Sequence, residues 1–298
     1  MMSWMRDSAP HGGVDFISTI RAFLQLFRLP GAAIAAITGT TVLFTLAPTV
    51  PLYHYILTAY VLAAMNAAAC AINDYWDVDK DRIDHPERPL PTGKLSLNQA
   101  WWAAVLLFAS ALIAVLPLGR SPSLLAMVSM VALWGYSPLL RYSGILGNVV
   151  VAAIIAAILL LGSLVAHRPT ALFYPIGFVF IHVLAHEIVF DMHDTPGDRS
   201  QGIVTVAGRW GNSVAFTVVW GLLGLLALSI PMALSRISMV APRWFTLCAG
   251  AMLLIFAGAL IDLQRHGAQA YQRFIRWGRV SRLVGIMGLL GAAQVYSP

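Results

Sequence analysis

The chain has 298 residues, of which 59% are hydrophobic and 11% charged, and its mean hydropathy is +0.76. That composition excludes a water-soluble globular domain and points to an all-α membrane protein. The net charge of +6 would suit a nucleic-acid partner, but the placement of the 19 Lys and Arg residues excludes that class, as set out below.

A membrane span needs about 20 mostly apolar residues. Residues Met1 to Asp15 are polar and include Pro10 and paired glycines, so no signal peptide is expected before the first span. From the polar segment 1–20 onward, the sequence predicts nine spans, at about 30–48, 54–73, 99–117, 122–139, 147–166, 171–190, 212–232, 244–262 and 281–297. Short connections between them predict a single transmembrane domain over 1–298. Cys70 and Cys248 both fall inside apolar stretches, where neither a disulfide framework nor a metal site is expected.

Sorted by loop, Arg120, Arg168, Arg236 and Arg243 lie on one side of the membrane, and the other Lys and Arg residues lie opposite. This asymmetry predicts a multi-pass chain with its N-terminus in the cytoplasm. The basic balance then reports topology and contact with membrane lipids, not nucleic acid. The Arg-rich run from Arg265 to Arg282, interleaved with Tyr271, Phe274 and Trp277, is expected to lie along the anionic inner leaflet.

Most of the 13 acidic residues fall in two places. The first is Asn73-Asp74-Tyr-Trp-Asp77-Val-Asp79-Lys-Asp81, with Asp84 just beyond. The second is Glu187-Ile-Val-Phe-Asp191-Met-His-Asp194-Thr-Pro-Gly-Asp198. One offset of 117 residues relates Asp74 to Asp191, Asp77 to Asp194 and Asp81 to Asp198, which suggests an internal repeat or a shared ligand. Residues at i, i+3 and i+7 share a helix face, so each triplet would aim three carboxylates in one direction, and Glu187 extends the second face by a turn. The charge asymmetry puts both clusters on the cytoplasmic side. A solvated loop would explain one such cluster. Two are costly beside a membrane unless paired or metal-bound.

Carboxylate oxygens suit hard divalent ions, and Mg2+ is usually held by one or two carboxylates together with substrate phosphates. That chemistry implies a phosphorylated partner, whose remaining charge Lys80, Arg82, Arg88, Lys94, Arg141 and Arg199 are placed to neutralise.

The segment Asn73 to Gly93, NDYWDVDKDRIDHPERPLPTG, resembles the first signature of the UbiA superfamily of intramembrane prenyltransferases, and DMHDTPGD resembles the second. Tyr136-Ser137-Pro138 with Arg141, and Gly147-Asn148, look like the segment joining that family's fourth and fifth helices. The resemblance implies a fold of about nine transmembrane helices around a central cavity, with both motifs at its cytoplasmic mouth. It implies that Asn73, Asp74, Asp77 and Asp81 form one magnesium-diphosphate motif, that Asp191, Asp194 and Asp198 form the other, and that Arg88, Lys94 and Arg141 contact phosphate. Asp-Arg-Ile-Asp-His-Pro-Glu-Arg-Pro-Leu-Pro-Thr-Gly looks most like the branch that contains digeranylgeranylglyceryl phosphate synthases, homogentisate prenyltransferases and chlorophyll synthases. His186-Glu187 stands where many relatives have Arg-Glu, and Thr205-Val-Ala where Thr-Leu-Pro is frequent, which leaves acceptor identity open.

The expected activity is magnesium-dependent transfer of a prenyl group from an isoprenyl diphosphate to a lipophilic or aromatic acceptor. The alternatives are a terpene cyclase on the same scaffold, which needs no acceptor, and a transporter, which has no evident use for the duplicated acid spacing. An allylic cation needs a dry cavity. Asn66, one heptad before Asn73, could line its wall or make an ordinary interhelical hydrogen bond, and Tyr136 is a candidate to stabilise the cation through its ring. Tyr75, Trp76, Trp134 and Tyr142 read better as interfacial belt residues. His182 and His186 share a face, where buried structural polarity or acceptor binding is a better reading than zinc.

Overall fold

Long apolar runs in lipid satisfy their backbone groups only as helices or closed barrels. The computed structural model describes residues 16–135, 143–200 and 202–294, and these are nearly all helical. A short α1 (Phe16–Leu26) arises from within the segment expected to be polar. Then come α2 (Leu29–Leu46), α3 (Leu52–Trp76), a short α4 (Val78–Asp84), α5 (Leu97–Val115), α6 (Arg120–Gly135) and α7 (Gly144–Val165). The chain continues through α8 (Phe173–Ser200), a short α9 (Val206–Trp210), α10 (Asn212–Arg236), α11 (Pro242–His266) and α12 (Tyr271–Ala292).

Seven helical runs are long and apolar enough to cross a membrane, and the last, Pro242–Ala292, contains the antiparallel pair α11 and α12. With the 16-residue α6, the described residues hold nine long helices where nine spans are expected. Two boundaries differ. The sixth span was expected to stop near 190, but α8 runs on to Ser200 with Pro196 inside it. The ninth was expected from 281, but α12 starts at Tyr271. Its Arg273, Arg276 and Arg279 are exposed while Tyr271, Phe274, Gly278 and Ser281 are buried, so the charged residues stand on the outer face of a helix that packs inward.

Each long helix packs on the next in chain order, and α12 packs back on α2, closing a ring. Small residues permit this where water offers no drive for helices to associate. A Cβ on Gly162 would stand 2.7 Å from Val42 Cγ1 and 3.0 Å from the Gly39 carbonyl, so α7 and α2 meet almost backbone to backbone. Between α11 and α12, Gly288 lies against Cys248 Cβ at 3.0 Å and Gly291 against the Ala241 carbonyl at 2.6 Å by the same measure. Gly162→Leu is therefore expected to cost about 1–3 kcal/mol, read as a lower thermal midpoint in detergent. Gly177→Ala, where a Cβ meets nothing within 4 Å, should not lower it.

The N-terminus of α5 is fixed by a capping box: Ser96 Oγ accepts from the Gln99 amide at 3.2 Å, and Gln99 Oε1 accepts from the Ser96 amide at 2.8 Å. This anchors the end of the loop that carries Arg88.

Candidate active site

The last turn of α3 carries Asn73 and Asp74. At Asp77 (φ −101, ψ 14) the helix breaks, so that Asp77 ends α3 and begins α4, with Asp81 on α4. The first triplet therefore spans two helices and not the single continuous face its spacing suggested. Asp74 and Asp81 are each 2% exposed. Arg88, from the loop beyond α4, grips both oxygens of Asp81 at 2.6 and 2.7 Å and reaches Asp74 at 3.4 Å. Burial pushes the Asp81 carboxyl above its ordinary range, although Arg88 works the other way.

Arg28 donates to Asp74 Oδ1 at 2.6 Å. It precedes α2 with φ 47 and ψ 56, a left-handed conformation that costs a non-glycine residue about 1–2 kcal/mol. The strain coincides with the delivery of a cation to a buried carboxylate.

The second cluster is helical throughout because α8 continues past its apolar part. Pro196 has no amide to donate, and Thr195 Oγ1 bonds the Asp191 carbonyl at 2.7 Å. The Gly197 amide donates out of the helix to Asp84 Oδ1 at 2.9 Å. Asn148 Nδ2 on α7 donates to Asp191 Oδ2 at 2.8 Å. Lys80 on α4 reaches Asp198 at 2.7 Å and Asp194 at 3.9 Å. His85 Nε2 lies 3.4 Å from Asp194 Oδ1, and His193 Nδ1 lies 3.0 Å from the same oxygen. Burial opposes the charge on Lys80, yet the facing carboxylates, Asp198 first, hold its ammonium above its ordinary value. The Asp84 carboxyl is also pushed up, chiefly by burial.

Two acid clusters 117 positions apart thus meet, with α4 joined to the end of α8 through Lys80, His85 and Asp84. Gly197→Ala would drive a Cβ into the Asp84 carboxylate and break that joint. The expected result is a loss of about 1–3 kcal/mol in thermal stability together with weaker diphosphate binding, read by titration of the purified variant.

Of the other expected residues, Asn66 lies on α3 with its Oδ1 3.2 Å from where a Cβ on Gly31 would sit, and Cys70 Sγ is 4.0 Å from that oxygen. It joins α3 to α2. Glu187 lies on α8, one turn below Asp191. Lys94 is exposed beyond Gly93 and forms no ion pair among the described residues. Arg199 is also exposed and reaches the Gly208 carbonyl at 3.4 Å. Tyr136, Arg141 and Tyr142 lie outside the described residues. Tyr75, Trp76 and Trp134 pack with Trp101 in an aromatic cluster between α3, α5 and α6.

Sequence reasoning missed Arg28, His85, His193 and Arg282. His193 is stacked on Tyr271 at 3.7 Å, which orients its ring toward Asp194. Arg282 lies eleven residues past Tyr271 on α12, partly buried, and its charge acts on Glu187.

The donors at this junction fit a hard divalent ion: they are mostly carboxylate oxygens, and Oδ2 of Asp198 and of Asp84 are buried without a hydrogen-bond partner. An apolar groove of about 480 Å³, lined by Ile145, Val149, Leu184, Ile188 and Val218 among others, reaches Asn148 and so borders the Asp191 end of the site.

Residues 32–278 match the UbiA prenyltransferase family. The chain belongs to that family. A digeranylgeranylglyceryl phosphate synthase of Sulfolobus acidocaldarius is 32% identical over 218 residues, 72% of this chain and 78% of that protein. The synthase of the same name from Methanopyrus kandleri is 28% identical over 273 residues, 92% of this chain and 99% of that protein. Among solved structures, a UbiA homolog from Archaeoglobus fulgidus bound to DMAPP and Mg2+ shares the fold with a TM-score of 0.71 at 18% identity, covering 89% of this chain and 97% of that one. A structure of a digeranylgeranylglyceryl phosphate synthase gives 0.68 at 19% identity, covering 91% and 97%. This UbiA-family chain is an integral membrane prenyltransferase.

Proposed function

We propose that this prenyltransferase is magnesium-dependent and moves a prenyl group from an isoprenyl diphosphate to a hydroxyl of a lipophilic acceptor of the glycerol phosphate ether class. The observation that carries the diphosphate half is the interleaving of two buried carboxylate clusters with Arg28, Lys80 and Arg88 at one junction. The acceptor class is supported by the relatives, several of which are named digeranylgeranylglyceryl phosphate synthases.

Asp74, Asp77, Asp81, Asp191, Asp194 and Asp198, with Asn73, would hold magnesium, which supplies Lewis-acid neutralisation of charge on the departing diphosphate. Arg28, Lys80 and Arg88 neutralise the phosphate oxygens that remain. Asn148 orients Asp191. The apolar groove beside Asn148 takes the prenyl chain and keeps water from the allylic carbon. The basic asymmetry of the loops supports a cytoplasmic N-terminus and a cytoplasmic position for both acid clusters.

Purified protein in nanodiscs, given magnesium, a labelled C10, C15 or C20 allylic diphosphate and a phosphorylated glycerol ether, is expected to form a prenylated ether. A cyclic hydrocarbon formed without an acceptor would contradict the proposal. Chelation of magnesium is expected to remove turnover and, in a titration without acceptor, donor binding.

A further inference from the structure

Below the acid clusters the bundle holds a second polar group. α12 descends antiparallel to α8: Tyr271 stacks on His193, Phe274 meets Phe190 and His186, and a Cβ on Gly278 would stand 2.8 Å from His186 Cε1. Continuing this register sets Arg282 level with His182, about 16 Å along the helix axis from Tyr271. Side chains lean toward the N-terminus of their helix, so Arg282 rises from that level toward Glu187. Arg282 is the cation acting most strongly on Glu187.

Neither side chain is matched at contact distance. Among the described residues, Arg282 and Glu187 make no side-chain hydrogen bond or ion pair with each other or with any other group. Beside them, His182 Nε2 and both ring nitrogens of His186 are buried without a partner. A guanidinium and a carboxylate at membrane depth are costly unless they line a cavity or meet a ligand. The donor diphosphate does not meet this demand, because its cations Arg28, Lys80 and Arg88 gather at the acid clusters, about two to three helical turns above Arg282. A carboxylate one turn below Asp191 and a guanidinium lower still suit a molecule that brings a proton for one and an anion for the other.

We propose that Arg282 binds the anionic headgroup of the acceptor and that Glu187 takes the proton from its attacking hydroxyl. This rests on the reading of the acceptor as a phosphorylated hydroxyl lipid. In the step, the hydroxyl oxygen bonds to the allylic carbon as the bond from that carbon to the diphosphate oxygen breaks. Diphosphate leaves with the electron pair, and the hydroxyl proton passes to the Glu187 carboxylate. A guanidinium holds phosphate bidentately, whereas an ammonium does so as a point charge.

The test compares R282Q, R282K and E187Q with the parent chain on three acceptors: a phosphorylated glycerol monoether, its dephosphorylated counterpart and a carboxylated phenol. In R282Q the preference in kcat/KM for the phosphorylated over the neutral ether should fall at least tenfold, with R282K intermediate. Calorimetric titration of the phosphorylated ether, without donor or metal, should show the same loss of affinity, while the KM for the diphosphate donor stays within twofold. E187Q should lower kcat on the phosphorylated ether with little change in its KM. Equal losses on both ethers in R282Q, or a donor KM that rises with them, would overturn the assignment. A preference lost only for the carboxylated phenol would overturn phosphate as the anion. No magnesium-dependent transfer by the parent chain to any acceptor would instead remove the functional reading itself.

Discussion

Asp194→Ala is expected to lower magnesium-dependent diphosphate release by at least about a hundredfold while leaving the chain folded. Asp194 is where the two arms of the site cross: Lys80 approaches from α4, His85 from the loop beyond it and His193 from its own helix, at 3.9, 3.4 and 3.0 Å. Removing the carboxylate takes away an oxygen donor of the proposed metal site and leaves Lys80 with Asp198 as its remaining carboxylate contact within 4.0 Å among the described residues. The fold should tolerate this, because Asp194 is 22% exposed and the Lys80–Asp198 and Asp84–Gly197 contacts still join α4 to α8. Diphosphate release and the thermal midpoint measured on the same preparation separate the two effects. Parental release from purified D194A would contradict the role given to this carboxylate.

Arg88→Met is expected to affect both stability and turnover. Arg88 neutralises Asp81, with Nη1 reaching both its oxygens and Asp74 as well, and both carboxylates are nearly inaccessible to solvent. Removing one partner of a buried pair strands the other charge, at a cost of about 3–5 kcal/mol. Replacing the pair together, Arg88→Met with Asp81→Leu, removes both charges and should recover much of that stability, since buried ion pairs exchanged for apolar side chains are often neutral. Turnover should not return, because both the phosphate-neutralising guanidinium and the carboxylate are gone. Recovery of activity in the double variant would show that Arg88 and Asp81 serve packing alone.

Much of the fold was legible because its pattern is local. Runs of Leu, Ile, Val and Ala mark the helices, and the shared 117-residue offset marks the two acid clusters that meet in the structure. The errors arose where tertiary contacts overrule local signals. The sixth apolar span was expected to end near 190, but α8 runs on through Pro196 and Gly197, whose amide donates to Asp84 on α4 instead of within the helix. The arginines of α12 read as a surface run because a sequence does not show that Arg273 pairs with Asp262 while Arg282 turns inward. Arg28 looks like any basic residue preceding a span, and only the approach of α3 reveals its partner as Asp74. His186-Glu187 was visible as a departure from the family pattern, but the cation beside it comes from the last helix.

The central claim is that the meeting of the two acid clusters creates a magnesium-dependent diphosphate site serving transfer to a separate acceptor. Its most direct test is product analysis of the purified chain with a labelled allylic diphosphate, with and without magnesium and a phosphorylated glycerol ether. Prenylated ether that forms only when both are present is the predicted result. Diphosphate release independent of magnesium, or a cyclised product formed equally well without the ether, would contradict it.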